Sequence, residues 1–186
     1  MIIAVVGAGG KTTLIRQLAA RYRSQGKTVF VTTTTHMYIE EDTLLTDDAE
    51  VILAALQERG YAMAGVPEGE KIKALSQETF NAVCAFADVV LVEADGARQM
   101  ALKYPNETEP VIPENADQVI VVWGPHSLGK PAGQVCHRPE LVKLALDITD
   151  DTRITREHVK RLLQQGYLTP LQRKFPHMQI TVYPPI

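Results

Sequence analysis

Met1-Ile-Ile-Ala-Val-Val-Gly-Ala-Gly-Gly-Lys-Thr-Thr-Leu-Ile15 opens the chain, and its reading decides the fold. The β-branched run Ile2 to Val6 predicts a buried strand. Gly7, Ala8, Gly9 and Gly10 then make a turn almost free of side chains. Lys11, Thr12 and Thr13 open a segment where Leu14, Ile15, Leu18 and Tyr22 recur at helical spacing. A strand, a glycine turn and a helix start together make a phosphate cradle. Backbone N–H groups point into such a turn, and the helix N-terminus adds partial positive charge. Lys11 is placed to reach a β- or γ-phosphate, the Thr12 hydroxyl to ligate Mg²⁺, and Thr13 to reach an α-phosphate.

The cradle is a contracted one. The usual pattern has a further glycine where this chain has Val5, leaving Gly7-x-x-Gly10-Lys11-Thr12. A dinucleotide-binding turn would share Gly7-Ala8-Gly9, but Thr12 stands at its third glycine position. Thr32 to Thr35 occupy the place of its ribose-binding acid. A purely structural glycine turn would not call for Lys-Thr at the helix start.

At 186 residues, one domain spanning 1–186 is the simplest expectation. An apolar fraction of 45% is ordinary for a globular chain, and a net charge of −3 speaks against nucleic acid as the main partner. No apolar run reaches membrane-spanning length, no signal peptide is expected ahead of the first strand, and two cysteines are too few for a disulfide framework. The expectation is a soluble, cytoplasmic protein that uses neither membrane nor nucleic acid.

Strand and helix patterns alternate along the chain. Thr28–Thr32, Val89–Val92 and Asp117–Trp123 read as strands, Gln179–Tyr183 as a last one, and Tyr61–Gly65 as a short one. Leu14–Ser24 and Ala49–Gln57 read as helices closed by Gly26 and Gly60, and Ser76 and Thr155 as N-caps of others. Pro67–Glu70 reads as a loop, and the glycine- and proline-rich stretch from His126 to Cys136 as a mobile one. Pro139 is expected to start a helix. Adjacent Cys136 and His137 rarely aim at one ion, and no second Cys/His cluster accompanies them.

In open α/β sheets ligands sit beyond the carboxyl ends of the strands. The threonine run Thr32–Thr35 leaves one such end, so Thr34 and Thr35 are candidates to touch a γ-phosphate. Threonine's liking for strands explains Thr32 better than the residues after it. The run Val89–Val92 ends in Glu93-Ala94-Asp95-Gly96-Ala97-Arg98. Acids at the end of a buried strand beside a phosphate cradle serve Mg²⁺ or a water. Both Glu93 and Asp95 are candidates, with Gly96 offering a backbone N–H and Arg98 a cation; the alternative is a pair of surface salt bridges. Prolines at 105, 110 and 113 stiffen a loop able to hold Lys103 and Glu109 over a site, or simply to connect two strands.

These motifs resemble the YqeC family, accessory proteins of selenium-dependent molybdenum hydroxylases. The resemblance rests on Val6–Ile15, Thr32–Met37, Val92–Arg98, Lys103, Glu109–Pro113 and His137–Glu140, and spans most of the chain. The Glu-x-x-Gly strand ending also resembles metallochaperone GTPases of nickel enzymes and some dethiobiotin-synthetase-like enzymes. The contracted cradle is similar to that of cell-wall amide ligases, whose chains are much longer. No Asn-Lys-x-Asp occurs, so guanine specificity has no support.

The expected fold is a P-loop NTPase-like three-layer α/β/α domain with a mostly parallel sheet. The expected ligands are Mg²⁺ with ATP or GTP. Gly7, Ala8, Gly9, Gly10, Lys11, Thr12, Thr13, Thr34, Thr35 and Gly96 would bind the nucleotide. Thr12, Glu93 and Asp95 would serve the metal, and Lys11, Glu93, Asp95 and Arg98 catalysis. The resemblance implies a molybdenum hydroxylase, or its cofactor-assembly proteins, as partner. Two alternatives stay open: a transferase or ligase acting on a small anion held by Arg98, Lys103 and Arg138, and a nucleotide-gated module without catalysis.

Overall fold

The computed structural model describes residues 1–186. The chain is α/β with a mostly parallel mixed sheet, and divides into two compact units. The first comprises Met1–Val5, Thr12–Asp95 and Val111–Asp117; the second Val6–Lys11, Gly96–Pro110 and Gln118–Ile186. No helix is long and apolar enough to cross a membrane.

The first unit is built on β1 (Ile2–Gly7), which is buried along its whole length and hands its last residues to the second unit. Then follow α1 (Lys11–Ser24), β2 (Val29–Thr33), β3 (His36–Tyr38), β4 (Thr43–Leu45) and α2 (Ala49–Arg59). β5 (Tyr61–Glu68), β6 (Lys71–Lys73), α3 (Gln77–Phe86) and β7 (Val89–Glu93) complete it. β7 lies between β1 and β2 and runs parallel to both, with Val5 opposite Glu93 and Thr33 opposite Glu93 on the other side. A strand paired on both sides and covered on both faces must be apolar throughout, which is why Val89–Val92 carries no alternation. β5 continues the parallel order beyond β2 and also pairs with β4.

Local chemistry sets the helix ends. The Asp48 carboxylate accepts from Glu50 N–H at the start of α2, and Gly60 ends it in the left-handed region. Ser76 caps α3 by accepting from Thr79 N–H. Each side-chain cap is worth about 1 kcal/mol.

The stretch Pro67–Glu70, expected to be a loop, is instead part of a hairpin. Pro67 and Glu68 belong to β5, which turns at Gly69 into β6 as a hairpin, and β6 pairs onward with β3. Short strands with exposed charged residues carry too little periodicity to be recognised locally.

In the second unit β8 (Leu102–Lys103) pairs in parallel with β10 (Cys136–His137), and β9 (Gln118–Val122) with β11 (Gln179–Tyr183). The stretch expected to be a mobile loop holds a 3₁₀ turn at Pro125–Ser127 and the short helix α4 (Ala132–Val135). Ser127, Ala132, Val135 and Cys136 are buried there, so its glycines and prolines serve a packed path. α5 (Pro139–Leu146) starts at proline as expected, and α6 (Arg156–Leu163) opens with a capping box between Thr155 and His158. A π-helical turn, Gln164–Leu168, joins α6 to α7 (Thr169–Lys174).

Candidate functional site

The glycine turn is shaped by close backbone approach. Gly7, Gly9 and Gly10 take φ of +90°, +79° and +134°. Ala8 N–H donates to the Val122 carbonyl at 2.9 Å. A Cβ on Gly9 would stand 2.5 Å from Gly124 Cα and 2.7 Å from the Ala101 carbonyl oxygen. Gly124 follows β9 and Ala101 precedes β8, so both segments back the turn. Lys11 is only 6% exposed, and its Nζ donates to the Gly7 carbonyl at 2.9 Å. A buried ammonium has to be hydrogen-bonded, and here the bond curls the side chain over the turn.

In the first unit, the next residue meets the end of β7. Thr12 Oγ1 donates to Glu93 Oε2 at 3.0 Å. Glu93 and Asp95 are 7% and 0% exposed, which rules out the surface salt bridges considered for them. Glu93 is the carboxylate brought to Thr12; Asp95 is enclosed two residues on. A carboxylate buried this fully has to be hydrogen-bonded or paired within the protein.

The threonine run is committed largely to backbone carbonyls. Thr32 Oγ1 donates to Ala64 O at 2.8 Å and Thr33 Oγ1 to Glu93 O at 2.7 Å. Thr34 Oγ1 donates to Val111 O, and Thr35 N–H donates to Thr33 Oγ1 at 3.0 Å. Thr34 and Thr35 therefore sit at the end of β7, where the candidate acids are. Thr13 lies on the exposed side of α1.

The remaining candidates belong to the second unit. A Cβ built on Gly96 meets nothing within 4 Å, and the Gly96 carbonyl accepts from Lys103 Nζ at 2.5 Å. Arg98 is exposed, on left-handed backbone at φ +45°. Lys103 lies in β8 and Glu109 in the proline-rich loop that follows, and the two pair: Lys103 Nζ lies 2.8 Å from Glu109 Oε2, the Lys103 side chain fully buried. Sequence reasoning missed Val122, Ala101 and Gly124 as the backing of the turn. A glycine directly after a strand was the one available signal, and it read equally well as a strand breaker.

The family model described as YqeC protein matches residues 3–140. The chain belongs to the YqeC family. It is 37% identical over 146 residues to "Uncharacterized protein YqeC" of Escherichia coli strain K12. That match covers 74% of this chain and 57% of that protein, so the chain spans little more than half the length of the curated relative it matches. No solved structure matches the chain. The YqeC match takes in the glycine turn, the strand-end acids and the Lys103–Arg138 region; α6, the π-helical turn, α7 and β11 lie beyond it.

Proposed function

We propose that this YqeC-family chain binds a nucleoside triphosphate with Mg²⁺ and hydrolyses it, serving as an accessory factor in the maturation of a selenium-dependent molybdenum hydroxylase or its cofactor. The observation that carries the nucleotide reading is the 3.0 Å bond between Thr12 Oγ1 and Glu93 Oε2. It sets a hydroxyl and a carboxylate together where a strand end meets a helix start. Mg²⁺ takes one or two such protein oxygens, keeps several waters, and completes its shell with phosphate oxygens. The donor set fits that demand: hard oxygens, few in number, with no cage of three or more His, Cys, Asp or Glu side chains. Mg²⁺, when bound, would neutralise charge developing on the β- and γ-phosphates.

This chain's own groups would do the rest. Backbone N–H groups from Gly7 to Lys11 would cradle the phosphates, with Lys11 exchanging the Gly7 carbonyl for a phosphate oxygen. Thr13 would reach the α-phosphate. Asp95, or Glu93, would orient the attacking water. Gly96 N–H and the Thr34–Thr35 segment would respond to the γ-phosphate, and Arg98 would supply further positive charge. Catalysis would be positioning and charge stabilisation. The maturation role comes from the family resemblance, and the residues support only the nucleotide chemistry.

Calorimetric titration with Mg²⁺-ATP and Mg²⁺-GTP, beside Lys11→Ala, tests the first part. Micromolar binding of one nucleotide, lost in the variant, is expected; binding of neither would overturn the reading. Hydrolysis that rises when a molybdenum hydroxylase is added, and hydroxylase activity in cells that depends on Lys11, test the second. Unchanged hydroxylase activity in cells lacking the chain would overturn it.

A further inference from the structure

The strongest feature outside the glycine turn is a buried charge cluster in the second unit. We propose that Lys103, His137 and Arg138 form a binding subsite for the carboxylate or phosphate group of a second, small-molecule ligand, with Glu109 occupying the anion's place as an internal stand-in.

The β8–β10 pairing sets the geometry. His137 and Lys103 are register partners, so their side chains leave the two strands on the same face. Arg138 follows directly. Its Nη1 reaches Glu109 Oε2 at 2.5 Å and its Nη2 reaches Oε1 at 3.3 Å, while Lys103 Nζ reaches Oε2 at 2.8 Å. A guanidinium fork with a buried ammonium beside it is the arrangement that recognises a planar carboxylate or a phosphate. Glu109 shows how such a group is held. Its side chain is 14% exposed and that of Arg138 31%, whereas Lys103 is closed off; the cluster is therefore open on the Arg138 side.

His137 supplies the independent sign of a ligand. The residue is 9% exposed, and its Nδ1 is buried without a hydrogen-bond partner. A buried ring nitrogen left unsatisfied loses its hydration without compensation, so a native structure rarely keeps one without a use. The charged groups bearing on the ring are Lys103, Arg138 and Arg98, against Glu109 alone. Burial first, and then these cations, lower the imidazole pKa and keep the ring neutral. A neutral ring protonated at Nδ1 would donate to an anion seated between Lys103 and Arg138.

The backbone around the cluster is held in costly conformations. Arg98, Gln99 and Arg138 take φ of +45°, +62° and +53°. Left-handed non-glycine residues persist only where surroundings over-determine them. The π-helical turn packs on the loop that follows Lys103. A Cβ on Gly166 would stand 2.9 Å from Pro105 Cδ and 3.2 Å from Tyr104 Cδ2, so this turn is pressed directly on the residues after Lys103. None of this requires a nucleotide in the glycine turn.

The test uses the full chain with Lys11→Ala, to weaken any phosphate binding in the glycine turn, and compares it with Lys11→Ala/Glu109→Gln. Each is titrated calorimetrically with inorganic phosphate and, separately, with malonate. Removing the internal carboxylate is expected to tighten anion binding at least tenfold, and adding Arg138→Gln to abolish it. Tighter phosphate would identify a phosphorylated ligand, and tighter malonate a carboxylic acid. Absence of binding by both proteins, or binding indifferent to Arg138→Gln, would overturn the subsite and leave the cluster a structural ion pair. Should Glu109→Gln not fold, the His137 ring ¹⁵N resonances of the Lys11→Ala chain decide the matter: a saturable shift with either anion supports the subsite, and no shift overturns it. Nucleotide binding, measured on the wild-type chain, fails or holds independently.

Discussion

A methyl group on Gly9 has nowhere to go. It would overlap the Gly124 backbone and the Ala101 carbonyl, on a backbone at φ +79° that resists any side chain. Overpacking and left-handed strain together predict that Gly9→Ala costs about 2–4 kcal/mol. At roughly 2–4 °C per kcal/mol for a chain of this size, the melting temperature should fall by about 4–16 °C. Gly96 is the opposite case, because its Cβ would enter open space. Gly96→Ala should leave stability within about 0.5 kcal/mol. If a terminal phosphate approaches the Gly96 N–H, the same variant should weaken nucleotide binding while the melting temperature holds. Thermal melts and calorimetry on the two variants separate a glycine required by the chain's own backbone from one required by a ligand.

At the scale of elements, β8, β10 and the loop between Lys103 and Val111 carry a prediction about pH. Burial alone would push the Glu109 carboxyl up; hydrogen bonds from Arg138 and Lys103, with the Lys103 charge, outweigh it and hold the group at about 2. Its folded value lies below the unfolded 4.5, so the stabilisation is complete above pH 4.5 and is lost as pH falls towards 2. His137 acts in the same direction in a higher window. Its ring is held below the usual 6.5, so acidification below that value favours the unfolded, protonated ring. Urea midpoints should therefore decline in two stages on acidification. His137→Gln should remove the upper stage and Glu109→Gln the lower. A single stage unaltered by either substitution would show that neither group is linked to folding.

The same elements explain what was legible beforehand. β1, the glycine turn and the start of α1 could be read because one continuous stretch carries strand period, turn chemistry and helix period in order. β7 was legible because Val89–Val92 is a short apolar run, rich in β-branched residues and closed by acids, which fits a strand buried on both faces. Ser76, Gly60 and Thr155 announced their helix ends by local hydrogen-bonding chemistry. β3, β6, β8 and β10 were not legible, since two or three residues hold no period and their partners lie far along the chain. At the site, motif logic brought Thr12 and the strand-end acids Glu93 and Asp95 to one place but did not choose between the acids; the bond from Thr12 to Glu93 is visible only in the fold. Nor was the orphaned Nδ1 of His137 legible, because it arises only when β10 packs beside β8.

For the molecule as a whole, the cysteines and the glycine turn offer one combined measurement. Burial pushes the Cys84 thiol up to about 12 and the Cys136 thiol up to about 11. Both are protonated at neutral pH, and alkylation needs the thiolate. Native labelling should therefore be slow and should track opening of the fold. A ligand that binds only the native chain stabilises it by about 2.7 kcal/mol when present at a hundred times its dissociation constant. That corresponds to roughly 5–11 °C in melting temperature for a chain of this size. If opening is fast relative to alkylation, the same free energy slows labelling through global unfolding by about a hundredfold. Mg²⁺-nucleotide should produce both effects in the wild-type chain. Removing Mg²⁺ with EDTA should reduce them by withdrawing the ion proposed to link Thr12 and Glu93 to the phosphates, and Lys11→Ala should abolish them. Protection of Cys136 without protection of Cys84 would mean that the ligand restrains only the neighbourhood of β10. That pattern is expected of an anion at Lys103 and Arg138, so comparing nucleotide with phosphate in one labelling series tells the two proposed sites apart.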